Sequence, residues 1–214
     1  MIYYIKGIFL FYIFIGVSNM NDNKCYILNQ CNNCSRSVPM INDLSHLIKN
    51  NLDELGLDSK LLKKLTNVKY HHLPKISISG CPNGCSQPQI KDFGVIGYHS
   101  PKVTNKNCNH CERCISSCME QAIVKTKDSV TINYSSCMNC GDCIRVCPSG
   151  TICSDQVGWR LLEGGRLGRH PKLTQEIGMT KDNYEVVNWI EYRLISYLKS
   201  KDSKRLSYFI EENS

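Results

Sequence analysis

The chain has 214 residues, 42% of them hydrophobic and 21% charged, and a formal net charge of +7. This balance excludes a disordered tail and a protein built only of membrane spans; it fits one large domain, or one domain carrying a small insertion. The charge suits an anionic ligand or an acidic partner, and the lysines form no dense basic run that would favour nucleic acid.

Fourteen cysteines pose a choice between disulfides and metal thiolates. Secreted disulfide scaffolds are usually short, and paired disulfides have no need of C-x2-C-x2-C-x3-C spacing. Metal-bound thiolates in a reducing compartment explain that spacing better, which predicts a cytoplasmic protein.

In chain order, residues 1–19 stand apart. Residues 8–17 are uncharged and apolar, but fall short of the about 20 residues that span a bilayer. With Lys6 before it, this stretch reads as a signal-peptide core or an anchor, although no clean small-x-small cleavage site follows. A third reading is a mis-assigned start. Ile, Tyr, Phe, Lys and Asn are what AT-rich noncoding DNA encodes, and Gly16-Val17 fits a ribosome-binding sequence before Met20. We expect translation to begin at Met20.

Cys25 and Cys31 come next. Leu44, Leu47, Ile48, Leu52 and Leu55 then recur at helical spacing, and Gly56 is placed to end that helix. Asp58 is predicted to cap a short second helix over residues 59–65. Residues 67–72 form a connector, where His71-His72 reads as a solvated pair. Pro74 opens a strand over Lys75–Ser79, with Ile76 and Ile78 on one face. The tight loop Gly80-Cys81-Pro82-Asn83-Gly84-Cys85 follows, where the backbone can approach a bulky ligand. A second strand is predicted over residues 93–98.

Composition changes at Ser100-Pro101. Residues 103–152 carry eight cysteines and little core, with a hairpin over 123–134 that turns at Lys127-Asp128-Ser129. A strand resumes over residues 156–162 and breaks at Gly164-Gly165. The tail is helical: Val186, Val187, Trp189, Ile190, Leu194, Ile195 and Leu198 form an apolar face, capped near 180–182. A last short helix holds Leu206, Phe209 and Ile210. The expected domains are therefore a discontinuous one, 20–102 with 153–214, and an insertion, 103–152.

The insertion repeats one pattern: Cys108, Cys111, Cys114, Cys118, then Cys137, Cys140, Cys143, Cys147-Pro148. This matches the bacterial ferredoxin pattern, in which the first three cysteines of a run hold one cubane and the fourth holds the other. Cys108, Cys111 and Cys114 are thus expected with Cys147, and Cys137, Cys140 and Cys143 with Cys118. Met119 replaces the proline expected after Cys118, a minor departure because proline is no ligand. Zinc ribbons need only two C-x2-C pairs and neither the third cysteine nor the x3 step.

Cys25-x5-Cys31 followed by Gly-Cys-Pro-Asn-Gly-Cys resembles the siroheme/4Fe-4S domain of sulfite and nitrite reductases. The stretch Gly164-Gly165-Arg166-Leu167-Gly168-Arg169-His170-Pro171 is similar to that family's Gly-Gly segment, and the ferredoxin-type insertion resembles its anaerobic and dissimilatory sulfite reductase branch. The resemblance implies an α+β fold, a siroheme-reductase-like mixed sheet with helices plus an inserted bacterial-ferredoxin-like domain. It implies that Cys25, Cys31, Cys81 and Cys85 hold a third 4Fe-4S cluster, with Cys85 also the siroheme ligand. Asn83, Arg166 and Arg169 are candidates for the siroheme carboxylates. Cys34 and Cys153 are left over as buried apolar thiols, although Cys34, three after Cys31, leaves a second ligand register open.

The resemblance also implies a related N-terminal half, for which the chain leaves no room before Cys25, so a dimer or partner subunit is expected. The implied activity is six-electron reduction of a small anion, sulfite or nitrite, fed by an electron-donor protein through three cubanes to siroheme. No proton donor stands out. Two further readings stay open: a three-cluster electron-transfer protein without siroheme or catalysis, and an assembly or sensing protein.

Overall fold

The structure, a computed structural model, describes residues 24–65, 67–201 and 204–213. The apolar leader and Met20 lie outside these residues. Among the described residues, no helix is long and apolar enough to cross a membrane.

Four short elements open the fold: β1 (Ile27–Gln30), α1 (Ile41–Glu54), α2 (Leu57–Lys64) and β2 (Lys75–Ser79). Ile41, Leu44, Ile48 and Leu52 recur at helical spacing and are buried, so α1 forms as an amphipathic helix against the sheet. Gly56, at φ 63°, both ends α1 and starts α2, a left-handed turn that costs glycine little. Asp58 does not cap α2; its Oδ1 instead accepts the Cys25 N–H at 2.7 Å.

β3 (Phe93–Val103) and β6 (Ile152–Glu163) form a long antiparallel pair, registered from Phe93 opposite Glu163 out to Val103 opposite Ile152. The register shifts between Ser100 and Pro101, where proline supplies no N–H to the ladder. With β7 (Gln175–Thr180) the sheet runs β1-β2-β3-β6-β7; its first three strands are parallel and the rest antiparallel. The predicted mixed sheet is present, and β1 and β7 are strands beyond those expected from the sequence.

α5 (Asn183–Lys199) starts at Asp182, whose side chain accepts the Tyr184 N–H, and α6 (Leu206–Glu212) follows. Both helices share the main core with α1, α2 and the sheet residues Ile76, Ile78, Phe93, Val95, Trp159 and Leu161. The Phe93 and Trp189 rings meet edge to face at 5.2 Å.

Between β3 and β6, α3 (Arg113–Ser117), the strand pair β4 (Ile123–Lys125) and β5 (Val130–Ile132), and α4 (Asp142–Val146) gather around a small separate core. That core holds Ile123, Val130, Ile132 and Ile152 with Cys114 and Cys143. Thr104 N–H donating to the Thr151 carbonyl at 2.7 Å closes its neck. The segment also folds back: His99 N–H donates to the Asn139 carbonyl at 2.8 Å, and Gly141 lies where a Cβ would meet the His99 side chain.

Candidate metal centres

Two cavities collect the eight cysteines of the insertion. Cys108, Cys111, Cys114 and Cys147 line one; Cys118, Cys137, Cys140 and Cys143 line the other. Each fourth cysteine therefore crosses to the other run's set. The backbone repeats as well, because His110, Glu112 and Gln121 take positive φ at the positions that Asn139, Gly141 and Gly150 occupy in the second run. These left-handed residues turn the chain inward between successive cysteines.

Backbone N–H groups aim at the sulfurs. Ala122 N–H donates to Cys118 Sγ at 3.3 Å, Ile152 N–H to Cys147 Sγ at 3.4 Å, and His110 N–H to Cys108 Sγ at 3.4 Å. Burial, followed by the neighbouring Cys137, Cys140 and Cys118, pushes the Cys143 thiol up to about 12. Burial also raises Cys114 and Cys140. At Cys147 burial is outweighed, and the Ile152 N–H with the Ser149 hydroxyl holds the thiol below its ordinary value. Thiolates this crowded need positive charge among them to stay ionised. All-cysteine donors with N–H···S bonds fit an iron–sulfur cubane. Among the described residues, no three of His, Cys, Asp and Glu converge closely enough to hold a single metal ion.

The third set differs from the expectation. Ile27 pairs with Lys75 and Gln30 with Ile78, so β1 runs parallel to β2. Cys25 thus sits at the Lys75 end of the strands and Cys31 at the Ser79 end. At ~3.3 Å per residue, the extended chain between them spans about 20 Å. Cys25 instead lies beside Asp58, and burial and that carboxylate raise its thiol. The structure does not bring it to Cys31, Cys81 and Cys85.

Cys34 is brought there instead. Cys31 N–H donates to the Ile78 carbonyl at 3.0 Å and Val38 N–H to the Gly80 carbonyl at 2.8 Å, which staples residues 31–38 across the end of β2. Gly80 N–H completes the staple on Cys31 Sγ at 3.1 Å. Ser37 lies over Gly80 with no room for a Cβ. Burial raises the Cys31 thiol first, with Cys85 and Cys34 adding to it; burial also leads at Cys81, where Cys34, Cys31 and Cys85 add. Neither leftover cysteine is buried, Cys34 being exposed and Cys153 partly so.

The polar face of β2 holds the other arm of the loop. Ser77 Oγ donates to the Ser86 carbonyl at 2.7 Å, and the Ser79 and Ser86 hydroxyls meet at 2.6 Å. These bonds fix Cys85, which is exposed.

Of the siroheme candidates, Asn83 is exposed on the same loop; its N–H bonds the Cys81 sulfur, and it borders the cavity of the second cysteine run. Arg169 is exposed in the turn after Gly168. Arg166 is buried and committed elsewhere: it pairs with Glu211 at 2.6 Å, donates to the His170 carbonyl and stacks on Tyr208. Through these contacts it fastens α6 to the sheet, whereas the resemblance had it facing siroheme carboxylates.

Residues 43–213 match the family described as the nitrite and sulphite reductase 4Fe-4S domain. Over 193 residues the chain is 32% identical to the coenzyme F420-dependent sulfite reductase of Methanocaldococcus jannaschii, covering 84% of this chain and 29% of the relative. It is 27% identical to the beta subunit of the dissimilatory-type sulfite reductase of Nitratidesulfovibrio vulgaris, over 69% of this chain and 39% of that one. A 37% identity to one subunit of the anaerobic sulfite reductase of Salmonella typhimurium covers 35% of this chain and 22% of that subunit. The chain thus spans well under half the length of these relatives. Its fold matches the crystal structure of dissimilatory sulfite reductase I with a TM-score of 0.57 at 15% identity, over 86% of this chain and 49% of that chain.

Proposed function

The chain belongs to the nitrite and sulphite reductase 4Fe-4S domain family, and from that premise we propose that it is the electron-relay portion of a sulfite or nitrite reductase assembly. The observation that carries this reading is the crossed sharing of cysteines between the two cavities. It is the arrangement expected for a ferredoxin-type insertion over residues 103–152 with two 4Fe-4S clusters.

The third 4Fe-4S cluster falls to Cys31, Cys34, Cys81 and Cys85. Cys34 takes the place that spacing alone gave to Cys25. The insertion rests against this set: Pro82 and Asn83 border the cavity of Cys118, Cys137, Cys140 and Cys143. With clusters bound, Cys108, Cys111, Cys114 and Cys147 would hold the centre open to an external donor protein, Cys111 being exposed, and the other two sets would hold the centres that carry single electrons onward.

Siroheme would supply the multi-electron chemistry on the bound anion. The residues of this chain fit it only in part. Cys85 and Asn83 present an open edge to it, but Arg166 is committed to Glu211. Closure of the macrocycle therefore falls to a partner subunit or a second copy. The committed Arg166 favours one alternative, a three-cluster electron-transfer protein without siroheme.

Anaerobic purification with siroheme synthesis supplied separates the two. Haem absorption bands, one additional iron per chain and sulfite or nitrite turnover with a reduced donor are expected of the first. Cubane absorption alone, with fast one-electron reduction and no turnover after candidate partners are added, would establish the second.

A further inference from the structure

One charged cluster lies between the second and third cysteine sets and is used by neither as a ligand. Asp142, at the start of α4, pairs through Oδ1 with Arg36 Nε at 3.1 Å and with Arg145 Nη2. Its Oδ2 faces Cys140 Sγ at 3.6 Å. Arg145 Nη1 also reaches the Cys140 carbonyl at 3.4 Å. Arg36 comes from the 31–38 loop that carries Cys34, whereas Asp142 and Arg145 come from the insertion. The ion triad therefore ties the two parts together where their cysteines approach.

The Arg36 side chain is 47% exposed, but the other two members are more enclosed. The Asp142 side chain is 16% exposed and that of Arg145 27%. Arg145 is held below its ordinary value by burial first and by Arg36 next, with Cys140, Cys81 and Cys34 acting in the opposite sense. A guanidinium cannot lose its proton in this range, so its charge is fixed. It reaches the Cys140 carbonyl and, through Asp142, the Arg36 of the loop that carries Cys34.

We propose that Arg145, positioned by Asp142 and Arg36, places a permanent positive charge between the Cys118/Cys137/Cys140/Cys143 centre and the Cys31/Cys34/Cys81/Cys85 centre, raising the reduction potential of both. Reducing a cubane adds one negative charge, and a nearby cation in a poorly solvated site stabilises the reduced form. The step it assists is a one-electron transfer in which the second-run cluster is oxidised and the third is reduced, with no proton moved. None of the sulfurs named as acting on Arg145 belongs to the Cys108/Cys111/Cys114/Cys147 centre, whose cavity Lys125 borders instead, so that centre keeps its own potential. This inference rests on the three-cluster reading above.

The test is a reductive titration of the loaded full chain, followed by electron paramagnetic resonance, for wild type, Arg145→Gln, Arg145→Met and Arg145→Lys. In either neutral variant the midpoints of the Cys118/Cys137/Cys140/Cys143 and Cys31/Cys34/Cys81/Cys85 clusters should fall while that of the Cys108/Cys111/Cys114/Cys147 cluster stays in place, and Arg145→Lys should recover most of the shift. Unchanged midpoints, or equal shifts at all three clusters, would overturn the proposal. So would failure of both neutral variants to load, because Arg145 would then be structural only. Iron content of the wild type keeps the two readings apart: fewer than three cubanes sinks the relay reading itself, whereas three cubanes with unmoved midpoints sinks only the role of Arg145.

Discussion

Cys25 and Cys34 are where the family resemblance and the geometry of the chain assign a candidate ligand differently. The x5 interval between Cys25 and Cys31 fitted the family pattern, but residues 27–30 form a strand whose extension carries Cys25 to the far end. Tyr26-Ile27-Leu28 is too short an apolar run, without alternation, to announce that strand. Cys34→Ser should therefore lower the iron content by about four per chain, one cubane's worth, while Cys25→Ser leaves it unchanged; the reverse pattern would restore the spacing-based assignment. The grouping of the eight cysteines between β3 and β6 around two cavities was legible because their intervals are short. Arg166 was not, because its partner Glu211 lies far along the chain.

Lys75 gives a second test at this scale. Burial lowers its ammonium from 10.5 to about 8, only partly offset by Asp92. Between those values the unfolded chain binds more protons than the folded one. Stability should then rise with pH across that window, and the cost of burying the charge should be fully present below pH 8. In urea unfolding, wild type should gain on Lys75→Met between pH 8 and pH 10. A constant gap would mean that Lys75 stays charged in the fold.

Among the elements, β2 and the loops at its end bring together Cys31, Cys34, Cys81 and Cys85, the set proposed for a third cluster. Its alternation was legible, and Ile76 and Ile78 do enter the core. Its serines, on the opposite face, are buried as well and hold the Cys85 arm. Gly80 lies against Ser37, and Gly97 against Gly80, each where a Cβ has no room. Gly80→Ala should cost about 1–3 kcal/mol, typical of overpacking. It should selectively lose the third cluster, read as a drop in one cubane signal with the insertion's pair retained. Loss of all three signals together would show that the centres are not built by separate elements. β7 was illegible in the sequence for the opposite reason: Gln175–Thr180 is an edge strand, mostly exposed, with Gly178 interrupting any alternation.

At the scale of the molecule, the main core draws no residue from the segment between β3 and β6. Val103 and Ile152 stand opposite each other at its neck. Replacing residues 104–151 by an Asn-Gly turn, which suits a two-residue hairpin, should leave the five-stranded sheet folded and cooperative in thermal unfolding. Collapse of the truncated chain would mean that the insertion stabilises the host. The contact of His99 with Asn139 and the Arg36–Asp142 pair belong to the docking of the two parts rather than to either core. These contacts join elements distant in sequence, so no local pattern announced them.

Anaerobic native mass spectrometry of the full chain is the decisive measurement. One dominant species carrying three 4Fe-4S clusters is expected, with eight of their twelve sulfur ligands supplied by residues 103–152. A chain carrying zinc, or one whose mass shows cysteines paired as disulfides in place of any cluster, would contradict it.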